Sequence, residues 1–222
     1  MAKVEYCVIG YGRFGEQIAN QLKELGKNVM IIENDADLVD KISREHEIVI
    51  KADAKDINAL HDAAVKNVRN VICATADLES SIMICANLKQ LGVENILARA
   101  KNATHERVLK TMGITNVISP ETEIANKTAL QLVYNLGADI TAINKEICWM
   151  KTVITNPDIM HKNIYELGLK EKYDCVVMSI QRKDGIIFPI SKNTQFKIGD
   201  IVTVVCYNKN IKKVLGVLAA NK

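Results

Sequence analysis

Short apolar runs recur along the first half of the chain and alternate with segments whose apolar residues have helical spacing. The runs predict buried strands, and the segments between them predict amphipathic helices. The predicted strands are Val4–Ile9, Val29–Ile32, Glu47–Lys51, Asn70–Ala74, Asn95–Ala100 and Ile114–Ile118. The predicted helices lie between them, over 16–26, 35–45, 56–66, 80–91 and 103–112. This alternation, with short connections, predicts an α/β domain with a doubly wound parallel sheet.

The pattern changes after a long predicted helix, 121–136, which Gly137 ends. The strands predicted beyond it follow one another: Cys148–Thr155, Asp174–Gln181, Ile186–Pro189 and Asp200–Tyr207. We expect a hairpin turn at Lys183-Asp184-Gly185 and helices only over 164–170 and 209–219. The sequence therefore predicts a first domain over 1–120, a crossover or linker helix over 121–145, and a small α+β lobe over 146–222.

The first predicted strand leads into Gly10-Tyr11-Gly12-Arg13-Phe14-Gly15, and the second ends in Glu33. This is a Gly-x-Gly-x-x-Gly loop that opens a helix, with an acid close to the spacing of about 20 residues expected of a dinucleotide site. Gly10 permits the tight turn, Gly12 lets backbone approach a phosphate, and Gly15 permits close helix packing. Glu33 would accept hydrogen bonds from ribose and repel a 2′-phosphate, which disfavours NADP. The unit predicts nucleotide binding.

Arg13 adds a fixed cation beside this loop. Its planar donors suit phosphate oxygens, so it serves a third phosphate, a dinucleotide or a neighbouring subunit, or else it is a solvated surface residue. Its neighbour Phe14 belongs to the same candidate site.

Further candidate ligand contacts follow the other predicted strands, because open α/β sheets bind ligands at the carboxyl ends of their strands. They are Asn34 and Asp35, Asp53 and Ala54, Thr75 and Ala76, and Arg99, Ala100 and Lys101. Asp53 contacts the base or ribose, or it caps the next helix. His105, on the helix after Arg99, either points back to the ligand or is structural.

Composition excludes several classes of function. The net charge is +3, with no basic run or aromatic–basic platform, so we expect no nucleic-acid partner. The chain is 48% hydrophobic and 25% charged, as in ordinary globular proteins. Its apolar runs are far shorter than the ~20 residues that span a bilayer, and no signal peptide is expected. The six cysteines lack metal-ligand spacing and most lie in strand-like runs, which predicts buried, reduced thiols.

Catalytic chemistry is not evident from the sequence. No tyrosine is followed by a lysine four positions on, the four histidines have no carboxylate at a telling spacing, and no nucleophile motif is present. We therefore predict no catalytic residues and a nucleotide that acts as a signal. The alternative is a small NAD-dependent oxidoreductase or redox sensor on the same fold.

The glycine loop, Glu33, Ala52-Asp53-Ala54, Arg99-Ala100 and Ser119-Pro120-Glu121 occur in this order. With them the whole chain resembles the RCK-type regulatory subunits of bacterial potassium uptake, closest to KtrA/TrkA proteins. The resemblance implies a Rossmann-like TrkA-N domain followed by a TrkA-C lobe from about Glu146. It also implies homodimers that assemble into an octameric cytoplasmic ring below a membrane-embedded potassium transporter or channel. ATP or ADP, and NAD(H) in some relatives, would change the shape of the ring and gate that partner.

The resemblance also implies roles for individual residues. Arg13 would reach the terminal phosphate, across the dimer interface, and Glu33 would hold the ribose. Asp53 and Ala54 would line the base side, and Arg99 and His105 would complete the pocket. Glu121 would lie at the dimer interface near the γ-phosphates, where ATP-bound relatives hold Mg²⁺ or Ca²⁺. The other reading of Glu121 is an acid favoured by the helix dipole.

Two positions depart from the pattern of the family. Close relatives often carry Asp where this chain has Glu33, and Glu does the same work with a longer reach. Some relatives bind cyclic di-AMP in the C-terminal lobe through an Arg, and here Lys170 stands at that position. A lysine is a point charge without the bidentate fork of Arg, which makes regulation by cyclic di-AMP doubtful.

Overall fold

The first half of the chain folds around a six-stranded parallel sheet in the computed structural model, which describes residues 4–133 and 138–219. The strands are Tyr6–Ile9 (β1), Val29–Glu33 (β2), Ile48–Lys51 (β3), Asn70–Cys73 (β4), Asn95–Arg99 (β5) and Asn116–Ile118 (β6). They are ordered β3-β2-β1-β4-β5-β6, so the strand order reverses between β1 and β4. A crevice at the carboxyl ends of these two strands is where such sheets bind ligands.

Helices cover both faces of this sheet, which confirms the predicted doubly wound fold. They are Arg13–Glu24 (α1), Ala36–Ile42 (α2), Ile57–Asp62 (α3), Leu78–Gln90 (α4) and Ala103–Thr111 (α5). Side chains of β1 alternate between two cores: Val8 packs in the core with Ala19 of α1 and Ile42 of α2, and Cys7 packs in the core with Leu60, Leu88 and Leu109 of the other three helices. Both faces of the strands are therefore apolar, as expected for a buried parallel sheet.

The helices differ in how they begin. A side-chain oxygen of Asp35, Asp56, Asp77 or Asn102 accepts a backbone N–H at the start of α2, α3, α4 or α5 respectively. Helix α1 begins after Gly12, which has no side chain to do this. Its first N–H groups are consequently left for other acceptors.

The second half of the chain forms an antiparallel sheet, and the division into two compact units falls after Thr122. Its strands are Ala138–Ala142 (β7), Ile147–Val153 (β8), Val176–Arg182 (β9), Gly185–Ile187 (β10) and Ile201–Tyr207 (β11), in the order β10-β9-β11-β8-β7. The remaining helices are Pro120–Val133 (α6), Ile164–Leu167 (α7), Leu169–Tyr173 (α8) and Ile211–Leu218 (α9). This is the α+β lobe that the sequence predicts.

One face of this sheet carries the core of the lobe. Cys148 and Met150 of β8 are fully buried in it, whereas Trp149 between them is exposed. At the end of the sheet Arg182 makes two parallel hydrogen bonds of 2.9 Å to the buried carboxylate of Asp200. That carboxylate also accepts the N–H of Lys197 at 2.9 Å, so its lone pairs are well used.

Three details of the predicted lobe were wrong. Strand β7 was missed, because a single helix or linker was predicted over 121–145. The predicted helix over 164–170 is two short helices, since Gly168 adopts a left-handed conformation with φ of +59°. Asp174 ends α8 with φ of +49°, so β9 starts later than predicted. The predicted helical residues Tyr134 and Leu136, and the stop at Gly137, lie outside the described residues.

All six cysteines are buried and unpaired, as the sequence predicts. Burial raises the pKa of Cys7 above its usual range, which keeps this thiol protonated and unreactive.

Candidate functional site

A cavity of about 290 Å³ opens at the carboxyl ends of the parallel strands. It lies at the point where the strand order reverses, next to the glycine-rich loop 10–15. Nine of the predicted site residues line it: Gly10, Gly12, Glu33, Asn34, Asp53, Ala54, Thr75, Ala76 and Arg99. The remaining lining residues are Ile9, Ile32, Ala52, Lys55, Ala74, Ser80 and Ile84. The cavity thus combines an apolar floor with polar groups at its rim.

The three glycines of the loop have different physical roles. Gly10 has φ of +88° and donates its N–H to the carbonyl of Ile32 at 2.9 Å, which turns the chain off β1. A Cβ atom on Gly15 would lie 2.0 Å from the carbonyl oxygen of Gly10, so only glycine fits there. A Cβ atom on Gly12 would meet nothing within 4 Å. Gly12 therefore borders open space beside the free start of α1, a position suited to an anion.

Glu33 holds the glycine-rich loop through its carboxylate. One oxygen accepts the N–H of Tyr11 at 2.7 Å, and the other accepts the N–H groups of Asn34 at 2.8 Å and Asp35 at 3.1 Å. A carboxylate has about four lone-pair sites, so one remains for a ligand hydroxyl. The proposed contact with ribose thus sits beside a structural role that spacing alone does not reveal.

Tyr11 anchors the loop from behind. Its hydroxyl lies 2.9 Å from Nε2 of His46 and 3.4 Å from Oδ1 of Asn20, and both its ring and that of His46 are buried. His46 Nε2 is also 3.1 Å from Asn20. Burial and the nearby Lys23 lower the pKa of His46, although Glu45 opposes this. His46 is therefore neutral, and it supports the glycine-rich loop through its contact with Tyr11.

Arg13 is the first residue of α1 and is exposed. It does not line the cavity, and among residues 4–133 and 138–219 no side-chain partner is seen for it. Phe14, the next residue, is half-buried under Arg99, whose guanidinium carbon lies 5.5 Å from the ring centroid. Phe14 therefore supports Arg99 from outside the cavity lining, whereas the side chain of Arg13 is exposed.

Arg99 forms an ion pair with Glu121 beside the cavity. The side chain of Arg99 is 17% exposed and that of Glu121 is 62% exposed. The backbone N–H of Glu121 and the guanidinium of Arg99 lower the pKa of this carboxyl, in that order. Arg99 retains a buried Nε–H with no partner among the described residues.

His105 is fully buried in the first turn of α5. Its Nδ1 accepts the N–H of Lys101 at 3.2 Å, so in the neutral ring the proton is on Nε2. Nε2 has no partner within the described part of the chain. Burial lowers the pKa of His105, with Asp77 opposing it, which keeps the ring neutral. A buried donor without an acceptor is unfavourable unless a ligand or water supplies one.

The remaining predicted site residues are placed as follows. Asp53 lines the cavity and accepts the N–H of Lys55 at 3.0 Å. The alternative reading of Asp53 as a helix cap is wrong, since Asp56 caps α3.

Asp35 caps α2 and lies outside the cavity lining. Ala100 is fully buried directly after β5 and does not line the cavity. The predicted site residues outside the lining are Arg13, Phe14, Gly15, Asp35, Ala100, Lys101, His105 and Glu121.

Two polar lining residues were missed by sequence reasoning. Lys55 follows Asp53 by two positions, and its Nζ lies 3.8 Å from that carboxylate. Ser80 lies in the first turn of α4, and its N–H is bonded to the cap Asp77 at 2.8 Å. The sequence could have indicated both residues, because Lys55 lies close to Asp53 and Ser80 lies close to the turn at Thr75.

Metal binding at Glu121 stays a prediction. Within the described residues, no three His, Cys, Asp or Glu side chains come together in a way that would hold a metal ion. A carboxylate suits Mg²⁺ or Ca²⁺, but the other ligands would have to come from phosphate oxygens, water or another subunit.

Lys170 lines a separate cavity of about 190 Å³ in the second unit, with Ile164, Tyr165 and Ile190 among its neighbours. Lys192 also lines this cavity, and neither of the two ammonium groups has the bidentate fork of an Arg. The doubt about cyclic di-AMP recognition stays a prediction. Within the described residues, no helix has the length and apolar character needed to cross a bilayer.

Comparison with known proteins agrees with this architecture. Residues 6–120 match the TrkA-N domain, and residues 150–219 match the TrkA-C domain. The MG323 protein of Mycoplasma genitalium is 36% identical over 216 residues, which cover 97% of this chain and 95% of the relative. The Ktr system potassium uptake protein C of Bacillus subtilis is 28% identical over 217 residues, covering 94% of this chain and 98% of the relative.

Solved structures of GsuK share the fold. Its RCK domain matches 99% of this chain with a TM-score of 0.66 and 14% identity, and the GsuK channel bound to NAD matches 100% with a TM-score of 0.67 and 13% identity. The chain spans 48% and 40% of those two structures, less than half of each. With both domains matched in order, the chain belongs to the family that combines a TrkA-N domain with a TrkA-C domain.

Proposed function

We propose that this protein is a non-enzymatic, nucleotide-binding regulatory subunit that gates a membrane potassium transporter or channel. The observation that carries the proposal is the cavity at the strand ends, where Gly12 and the free start of α1 face open space beside the ordered Glu33. Its membership of the TrkA-N and TrkA-C family and its relative named for potassium uptake support the transport role.

The cavity suits an adenine nucleotide in a definite orientation. The phosphates would lie at Gly12 and the start of α1, where backbone N–H groups are free. The ribose would face the remaining lone pair of Glu33, and the base would lie beside Asp53 and Ala54. Arg99 at the rim and Arg13 at the surface would supply cations for the phosphates.

ATP and ADP are the ligands that we favour, with NAD(H) as the alternative. The exposed Arg13 gives an adenosine polyphosphate a cation that NAD does not need, whereas the NAD-bound GsuK channel shares the fold and supports a dinucleotide. Mg²⁺ or Ca²⁺ would join the polyphosphate near Glu121.

Gating requires an assembly and a partner. The protein would form homodimers that build a homo-octameric ring at the inner face of the cell membrane, bound to the membrane-embedded transporter. Nucleotides that bind two shapes of the ring unequally would shift the equilibrium between them, and that shift would do the gating. The rival function, a small NAD-dependent oxidoreductase or redox sensor, would need an acid/base group at the nicotinamide.

Calorimetric titration of the purified protein with ATP, ADP, NAD⁺ and NADH tests the proposal. Arg13→Ala should weaken ATP more than ADP, and Arg44→Ala, an exposed arginine on the same unit, should change neither. Binding of NAD(H) alone, with no effect of Arg13→Ala, would rule out the ATP switch. Steady oxidation of NADH with a carbonyl substrate would favour the oxidoreductase.

A further inference from the structure

We propose that Glu121 is an internal competitor for the ligand's phosphate: it occupies Arg99 in the nucleotide-free protein and is displaced when a phosphate takes its place. The inference rests on the proposed nucleotide-binding function. It makes Glu121 a specificity-determining residue, and it gives the start of α6 a contact that reports whether the cavity is occupied.

Arg99 is positioned to bind either anion. It lines the cavity, while its guanidinium also pairs with Glu121 outside the lining. The guanidinium carries five N–H donors, and its buried Nε–H has no partner among the described residues. A phosphate with three acceptor oxygens satisfies such a fork better than one carboxylate oxygen does.

The two partners differ in freedom, which determines which one moves. Arg99 is 17% exposed and its guanidinium lies over the ring of Phe14, so it stays in place. Glu121 is 62% exposed, and its carboxylate can be solvated as soon as it leaves. Displacement therefore costs little beyond the ion pair itself, which is a weak interaction at such exposure.

Displacement of Glu121 from Arg99 affects the first turn of α6. Glu121 is the second residue of α6, and no residue of this helix is buried. The division of the chain into its two units falls after Thr122, in the same turn. The packing and polar contacts of α6 at Lys127, Leu130 and Gln131 lie further along the helix, so loss of the Arg99 contact frees its first turn.

Competition also sets which ligands bind well. A ligand without a phosphate cannot displace Glu121 and gains nothing from Arg99. A nucleoside diphosphate or triphosphate does displace it, and its affinity is reduced by the ion pair that it must break. Removing the carboxylate should therefore help phosphorylated ligands and leave adenosine unaffected.

The test is calorimetric titration of the full chain with ADP, ATP and adenosine in EDTA. Glu121→Gln should tighten ADP and ATP about 2- to 5-fold, the range expected for losing an exposed ion pair, and leave adenosine unchanged. Glu123→Gln, on the same exposed helix, should change none of them. An unchanged or weaker affinity of Glu121→Gln in EDTA would overturn the proposal. A parallel titration with Mg²⁺ separates the rival role, because unchanged affinity in EDTA together with weaker ATP binding in Mg²⁺ would make Glu121 a cation ligand instead.

Hydrogen exchange separates this inference from the function on which it rests. Without any nucleotide, amides of 121–126 should exchange faster in Glu121→Gln than in the wild type or in Glu123→Gln. In the wild type, ADP should raise the same rates. Equal exchange in all three unliganded proteins, with nucleotides still bound, would refute this inference and leave the proposed function standing. Absence of all nucleotide binding would refute the proposed function and this inference with it.

Discussion

The carboxylate of Glu33 accepts a hydrogen bond of 2.7 Å from the backbone N–H of Tyr11, 22 positions earlier in the chain. This bond ties the end of β2 to the middle of the glycine-rich loop. The same side chain caps the N–H groups of Asn34 and Asp35. One acid thus fixes the shape of the loop on the side where a ligand would lie.

Glu33→Gln should disturb the loop even without a ligand. The amide replaces one acceptor oxygen with a donor, so at least one backbone N–H is left facing another N–H. We expect the free energy of unfolding to fall by about 1–3 kcal/mol and ADP affinity to fall at least about tenfold. Urea unfolding and titration measure the two. Asp37→Asn, at an exposed position on α2, is the control, and an equal effect of both changes would refute the role of Glu33.

Alanine substitutions at Gly15 and Gly12 should affect different properties: the first should lower stability, and the second should lower the affinity for ADP. Gly15→Ala places a Cβ atom 2.0 Å from the oxygen of Gly10, so the loop must shift, at a cost of about 1–3 kcal/mol in stability. Gly12→Ala meets nothing within 4 Å and should retain stability within about 1 kcal/mol. Because its methyl group enters the space proposed for phosphate, it should still abolish tight ADP binding. Thermal unfolding with titration distinguishes the two, and normal ADP affinity in Gly12→Ala would argue against phosphate at this position.

Stability should fall as pH falls from 7.5 to 5.5. The folded-state pKa values of His46 and His105 lie below the usual value near 6.5, so in this window the unfolded chain binds protons that the folded chain does not. Each histidine lowers the free energy of unfolding by up to about 1.4 kcal/mol for every pH unit below 6.5, until the pH reaches the pKa of that histidine in the folded protein. His46→Gln should flatten the slope in urea unfolding, and His61→Gln, an exposed histidine, should not. Equal slopes in the wild type and His46→Gln would contradict this.

Asp200→Asn should destabilise the second unit. The change leaves Arg182 with one oxygen in place of two and weakens the bond to the Lys197 N–H, at a cost of about 3 kcal/mol. Exchange rates of the slowest amides in β8 and β11 measure this loss within the unit. Asp158→Asn, at an exposed position, should leave them unchanged, and a comparable loss there would show that the effect is not specific to the ion pair.

The local sequence pattern predicted the first unit well, because the residues that define its strands, helices and glycine-rich turn lie close together in the chain. A strand, a glycine-rich turn, a helix and a second strand with a terminal acid form one continuous unit, so Gly10, Gly12 and Glu33 could be placed at one cavity. The contact of Arg99 with Glu121 could not be predicted. It depends on the register that sets Arg99 beside Ile118 in the neighbouring strand.

The second unit was predicted less well for a related reason. Strand β7 is defined by pairing with β8, where Ile140 lies opposite Met150, and the short segment has little pattern of its own. The break at Gly168 depends on a left-handed conformation that glycine permits but does not require. The buried Nε2 of His105 reflects packing from several elements, which no spacing in one helix reveals.

The hydroxyl of Tyr11, held by His46 and Asn20, has a thermodynamic consequence for any ligand. Its backbone lies in the loop while its ring is immobilised below, so the loop is ordered before anything binds. A ligand therefore does not lose affinity to the entropy of organising its own site. For the proposed nucleotide, more of the binding energy of its phosphate and ribose contacts would then appear as affinity.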